Sequence, residues 1–225
     1  MRVVRIFASL LAAFALNSAA APVPAIIGTE RLVLDAPPGF SDSLHLGSPR
    51  LQELADTLAT ASERVLLFAL TDADLRAFMS GDPPIFRRYM VIATPVRLEK
   101  ERVDSARFAT IVGESMREMG PAAGGDDYIK HLDTLPEGTQ SLLAELRRDA
   151  DVASVLQGAR LLVRATKFWE SDKWRYIVST HTMFLLRGKV LQLVIYSNYE
   201  GKQDVDWIRS TTQRWLDDLV RLNRR

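Results

Sequence analysis

Apolar residues are spaced in three distinct ways along this chain. The first is an uncharged run from Ile6 to Leu16, preceded by Arg2 and Arg5 and followed by Asn17, Ser18, Ala19, Ala20 and Ala21. A short positive start, an apolar stretch and small residues at its end make the pattern of an export signal, expected over residues 1–20. The cut is placed after Ala20, with Ser18 and Ala20 at the small-residue positions. A cut after Ala21 would set Pro22, which has no N–H and a fixed φ, against the scissile bond. The rival reading is an uncleaved anchor over residues 6–27. A spanning helix needs about 20 mostly apolar residues, and Asn17, Ser18, Pro22 and Pro24 interrupt this one.

In the second stretch, short apolar runs alternate with helical spacings. Residues 22–29 read as an extended leader and residues 31–34 as a short strand, stopped by Pro37-Pro38-Gly39. Ser48-Pro49 opens a helix carrying Leu51, Leu54, Ala55 and Leu58. Residues 65–70 form a buried type of strand. Thr71-Asp72-Ala73-Asp74 has the form of a capping box and starts a helix that Gly81 ends. Residues 89–93 make the next strand, and residues 97–102 a charged connection. From Ser105, the residues Phe108, Ile111, Val112, Met116 and Met119 form a single helical stripe that stops at Gly120-Pro121. A glycine- and acid-rich loop follows, and residues 139–148 read as a helix with Leu142, Leu143 and Leu146 on its apolar side.

The last third is β-rich. Runs at 159–169, 174–186 and 190–199 are separated by Ser171-Asp172 and Arg187-Gly188, both suited to tight hairpins. Asp206 then caps a terminal helix with Ile208, Thr212, Trp215, Leu216, Leu219 and Leu222 on one side. If both turns have two residues, Val163 faces Thr180, Phe184 faces Leu191 and Thr180 faces Ile195. Period-two alternation then sorts the meander into two faces. One carries Leu161, Val163, Trp174, Val178, Phe184, Leu193 and Ile195. The other carries Arg164, Thr166, Arg175, Ser179, His181, Gln192, Tyr196 and Asn198, together with Leu162, Ile177 and Val194. The expected fold class is α+β, a single domain over residues 30–225. It would have a mainly antiparallel sheet, a C-terminal three-stranded meander, and helices packed on one face.

Composition narrows the function. The 225 residues hold 29 Lys+Arg against 28 Asp+Glu and no cysteine. Removal of residues 1–20 would take Arg2 and Arg5 and no acid, leaving 27 basic and 28 acidic residues. Such a balance argues against a nucleic-acid binder acting through a broad basic field. The lack of cysteine excludes disulfides, thiol catalysis and a lipid-modified anchor. No membrane span is expected once the signal is cleaved.

Motifs for chemistry are sparse. G-x-G-x-x-G, the P-loop, H-E-x-x-H and S-x-x-K are absent. Gly113-Glu114-Ser115-Met116 begins like a nucleophile elbow, but Arg117 stands where the last glycine belongs. His45, His131 and His181 are too dispersed for a metal site, so no metal or cofactor is expected. Asp126-Asp127 lacks the alternating acids of a calcium loop. What remains is the polar face of the meander, where Arg164, Ser179 and Tyr196 fall in one cross-strand row and His181 one step along. This quartet is the candidate ligand-binding site. An Arg, a Ser, a Tyr and a His in one patch suit an anionic small molecule or acid–base work by His181. The plain alternative is a solvated sheet surface.

A strand followed by Pro37-Pro38-Gly39-Phe40, then a meander and a terminal amphipathic helix, resembles the Mog1/PsbP-like α+β proteins in element order. The chain also looks like the uncharacterised exported proteins of Gram-negative bacteria, whose likeness implies a periplasmic address and supplies no catalytic residues. The expectation is a soluble periplasmic or secreted protein that binds an unidentified protein or small molecule, or assists assembly, without catalysis. The alternative is a small-molecule enzyme, hydrolytic in kind, that uses the polar face of the meander.

Overall fold

The computed structural model describes residues 22–82, 85–125, 127–163 and 172–224. The export segment and its expected cut lie outside these residues. In chain order the elements are β1 (Val23–Ile27), β2 (Glu30–Leu34), β3 (Phe40–Asp42), α1 (Pro49–Leu58), β4 (Glu63–Thr71), α2 (Asp72–Ser80) and β5 (Arg88–Pro95). There follow α3 (Ser105–Met119), α4 (Tyr128–Asp133), β6 (Ser141–Arg148), β7 (Val152–Val163), β8 (Lys173–Leu186), β9 (Lys189–Asn198) and α5 (Lys202–Leu222). Strands β3 to β9 form an antiparallel sheet in the order β3-β4-β5-β9-β8-β7-β6, and β1 and β2 form a separate hairpin. The class is the expected α+β, and the C-terminal meander is β7-β8-β9.

Local chemistry explains several boundaries. Pro49 occupies the first turn of α1, where its missing N–H costs nothing. Thr71 caps α2 by accepting from the Asp74 N–H at 3.0 Å, while its hydroxyl donates to the Asp74 carboxylate at 2.7 Å. Asp104 caps α3 by accepting from the Arg107 N–H at 2.8 Å. At the β8–β9 turn Arg187 and Gly188 both have positive φ, 53° and 81°, as a two-residue hairpin turn requires. Its register is the expected one: Phe184 pairs with Leu191 and Thr180 with Ile195.

The first hairpin of the meander differs from the sequence reading. Val163 pairs with Lys173, not Thr180, and Ser179 pairs with Gln157. The connection is therefore longer than two residues, and the shift is odd-numbered. An odd shift moves every β7 side chain to the opposite face, so Leu162 lies with Trp174, and Leu161 and Val163 join the other side. Residues 139–148 hold strand β6 rather than a helix. Two bulges, between Leu142/Ala144 and Glu145/Arg147, let the adjacent Leu142 and Leu143 both be buried. That breaks the alternation and imitates helical spacing. Helix α5 starts at Lys202, ahead of Asp206, with Gly201 at its cap.

The main core lies between the sheet and α5. Ile208, Trp215, Leu216 and Leu219 of α5 pack with Met90, Ile92, Val178, Phe184, Leu193 and Ile195, and with Ala25, Ile27, Leu32 and Leu34 of the β1–β2 hairpin. Helix α5 takes the expected face. The opposite face is covered too. Helices α1 and α2 pack over Phe68, Leu70, Val91 and Ala93, and α3 packs Phe108, Ile111 and Val112 against Ala153, Val190, Met183 and Leu185. The cause is a central strand that is apolar on both sides, since Met90 and Ile92 alternate with Val91 and Ala93. A strand buried on both faces reads as an unbroken apolar run.

Candidate functional site

Between α1 and α3 the second face of the sheet is left polar, and most of the sequence candidates meet there. Ser179 on β8 stands between Gln157 of β7 and Tyr196 of β9. Its hydroxyl lies 3.1 Å from Nε2 of His181, two residues along the same strand. Tyr196 stacks on Tyr89 of the next strand, with ring centroids 4.6 Å apart and planes at 20°. His181 meets Tyr196 edge-on at 6.1 Å. Arg164, the fourth candidate, lies outside the described residues, and Gln157 takes the position across from Ser179.

Burial sets the protonation states. It lowers the His181 pKa to about 4, so the ring is neutral at ordinary pH. It also raises the Tyr196 hydroxyl to about 12, with the Glu63 charge adding to the effect. The Tyr89 hydroxyl is pushed up by burial and by Tyr196. Both phenols therefore stay protonated as hydrogen-bond donors. Among the described residues neither hydroxyl has a hydrogen-bond partner.

Beside the two tyrosines is a cavity of about 180 Å³. Leu54 and Leu58 of α1, with Phe68, Phe86 and Ile177, form its apolar wall, and Arg87, Arg175 and Asn198 stand at one end. The same three polar residues border a second hollow of about 520 Å³, walled by Ile85, Ile129, Trp174 and Tyr199. Arg87 is engaged by Glu200 at 2.9 Å. Half-buried Arg175 has no carboxylate partner among the described residues. The two hollows adjoin through these three residues, and the first is a groove greasy along its walls, with a cation and two phenol donors facing it.

As a reacting centre the polar row is poorly equipped. Ser179 is 5% exposed, and among the described residues no carboxylate hydrogen-bonds His181 to orient it. Strand amides around Ser179 are committed to β7 and β9, so they form no oxyanion hole. The segment after Gly120 does not close over the row. Helix α4 places Leu132 in the main core on the far side of the sheet. Among the described residues no group of His, Asp and Glu could hold a metal ion. Of the remaining candidates, His131 bonds the Ser141 hydroxyl at 2.8 Å. Asp127 caps α4 through the Lys130 N–H at 3.1 Å. Asp204, in the first turn of α5, is 1% exposed and accepts from the Glu200 N–H at 2.9 Å and from Arg88 at 3.3 Å.

The sequence reading missed Leu54, Leu58, Phe86 and Tyr89 as parts of a site. Tyr89 and Tyr196 are joined by a pairing of β5 with β9 that spans over a hundred residues and leaves no local mark. Arg175 was visible only as one more polar-face residue.

The architecture belongs to the broad class of α+β proteins with helices on an antiparallel sheet. No protein-family model matches the chain, and no curated protein sequence matches it. Two solved structures align with it over 90% of this chain and 94% of theirs, at 12% identity and a TM-score of 0.39: the Ran-binding protein Mog1p of Saccharomyces cerevisiae and a single-site variant of Mog1. They share the family name that the element order resembles. At that level of superposition neither a partner nor a chemistry carries over.

Proposed function

We propose that this chain is an exported, periplasmic binding or assembly-accessory protein that works without catalysis. Its groove between α1 and the β5–β9–β8 end of the sheet would take a small amphipathic anion. The observation that carries this reading is Arg175, a half-buried guanidinium with no carboxylate partner among the described residues, at the mouth of an apolar cavity. A half-buried cation without a counter-charge is costly unless a ligand or water completes it. The Tyr89 and Tyr196 hydroxyls add two neutral donors, and Leu54, Leu58 and Phe68 would receive the apolar part. Charge and shape therefore suit a carboxylate, sulfonate or phosphate attached to a hydrophobic body. The export reading rests on the sequence pattern of residues 1–20.

Anilinonaphthalene sulfonate, a fluorescent amphipathic anion, tests the groove. The wild-type protein should bind it saturably with one-site stoichiometry. Arg175→Gln should weaken binding about tenfold, as loss of one charge-assisted hydrogen bond implies, at an unchanged urea midpoint. Leu54→Trp, which fills the cavity, should abolish it. Equal binding by wild type and both variants would discard the groove as a site. Mass spectrometry of the N-terminus from a periplasmic fraction tests export separately. A chain starting at Ala21 supports it, and a chain starting at Met1 in the membrane fraction refutes it.

A further inference from the structure

On the opposite face of the sheet, beneath α5, a second and chemically different cavity is present. We infer that it is a binding site for a small oxyanion of phosphate size. The inference does not rest on the groove, with which the cavity shares no lining residue.

The cavity has a volume of about 190 Å³. Ser154 of β7, Thr182 of β8 and Thr212 of α5 contribute hydroxyls to its lining, and Arg147, Arg209 and Gln213 contribute the charged and amide groups. The three hydroxyl residues are 5%, 1% and 4% exposed, so they are built into the core and not borrowed from the surface. Their hydrogen bonds leave a donor over. Thr212 gives its proton to the Ile208 carbonyl at 2.7 Å, and Thr180 gives its own to Thr212 at 2.6 Å. Ser154 and Thr182 meet at 2.7 Å. That pair has two protons, and one bond between them uses one. The other has no protein acceptor among the described contacts, and the open space beside it is the cavity.

The guanidiniums supply the charge. Arg147 pairs with Asp149 and reaches the Gln213 carbonyl at 3.4 Å. Gln213 in turn donates to Asp217 at 2.9 Å. Arg209 has no carboxylate partner among the described residues. Two guanidiniums against one directly paired aspartate leave the cavity with a positive bias. A buried hydroxyl donor, an exposed arginine without a carboxylate partner at the rim, and room for one compact ion together with water match a tetrahedral oxyanion, since charge-assisted bonds to such ions are strong and directional. An apolar ligand would leave these donors unsatisfied. Leu146 and Leu216 supply the apolar part of the lining.

Titration calorimetry with sodium phosphate, at ionic strength held constant with sodium chloride, tests the site on the mature chain. One-site binding is expected in the wild type. Arg209→Gln, on the exposed side of α5, should weaken it at least fivefold without changing the thermal midpoint of the unliganded protein. Thr182→Val should weaken it about tenfold. Glycerol phosphate separates two sources of the ion: binding equal to that of phosphate assigns the site to phosphate monoesters, and its exclusion assigns it to the free ion. No heat at 10 mM phosphate, roughly a hundredfold above a useful affinity, would overturn the inference. So would binding that Arg209→Gln leaves unchanged, and in both cases the cavity holds water only.

Discussion

Asn223, one residue past α5, offers a measurable test of how the terminal helix is fixed. Its side chain does for β2 what a neighbouring strand would do. The Val33 N–H donates to Oδ1 at 2.8 Å, and Nδ2 donates to the Val33 carbonyl at 2.8 Å. The same Nδ2 reaches the Leu219 carbonyl at 2.8 Å, tying the end of α5 to its own last turn. Asn223 is 5% exposed, so water does not replace these bonds when the amide is removed. Each bond is worth about 1 kcal/mol net, and orphaned backbone groups add to the loss. Asn223→Ala should therefore cost about 2–4 kcal/mol. For a domain of this size each kcal/mol moves the thermal midpoint about 2–4 °C. Urea unfolding followed by circular dichroism should show a lower midpoint with an unchanged slope. The neighbour Arg221, which makes only an exposed pair with Asp218, is the control, and Arg221→Ala should stay within about 0.5 kcal/mol. A loss below about 0.5 kcal/mol for Asn223→Ala would show that α5 is held by its apolar face alone.

Three further outcomes follow from the same reasoning. Asp204→Ala should destabilise by about 1–3 kcal/mol in urea titration, because it removes the buried acceptor of part-exposed Arg88 and of the Glu200 N–H; an effect under about 1 kcal/mol would contradict that role. Gly28→Ala should cost well over 1 kcal/mol, since φ is +59° and a Cβ there would sit 2.3 Å from the Glu99 carbonyl. That carbonyl also accepts from Lys189 at 2.8 Å, so any shift disturbs both partners, and a neutral result would show that the hairpin can move away. His181 has its pKa lowered by burial to about 4, below its unfolded value near 6.5. The unfolded chain binds the proton first as pH falls, so the full contribution is present above pH 6.5 and declines toward pH 4. The loss is at most about 3 kcal/mol, and less where water reaches the ring. His181→Phe should flatten the stability profile between pH 7 and 5, and an unchanged slope would assign the pH dependence elsewhere.

Local features of the fold were legible in the sequence because their causes are local. Pro49, Thr71, Asp104 and the Arg187-Gly188 turn act through their own backbone neighbourhoods, and each marks a boundary where the residue types indicate it. The register of β8 on β9 followed from one turn. The register of β7 did not, because Ser171-Asp172 was taken as the whole connection, and period-two geometry turns one miscount into a swapped face. Strand β6 was hidden by its bulges. Of the site, Ser179, His181 and Tyr196 were brought together correctly by alternation along β8 and β9. The cavity beside them depends on α1 and β5, which no pattern in the meander encodes.

The covering of both sheet faces changes how the polar residues should be understood. A sheet with one wet side needs no reason to carry Ser179, Gln157 and His181 there. Once α1 and α3 cover the flanks of that side, each such residue gives up water and must be satisfied or tolerated. Ser179 and His181 satisfy one another, while the Gln157 Oε1 atom is buried without a partner among the described residues. On the far side the hydroxyl pairs Ser154–Thr182 and Thr180–Thr212 are likewise buried under α5. Apolar residues of the same volume would remove these polar groups from both cores, and replacing paired buried polar groups with well-packed apolar ones is often neutral or stabilising. On the α5 face, where Ser154, Thr182 and Thr212 line a cavity, the polar choice is therefore better explained by what that cavity would hold than by stability. Thr182→Val and Ser154→Ala made together separate the two explanations. A stable double variant that no longer binds phosphate assigns the pair to the ligand, and one that unfolds assigns it to the core.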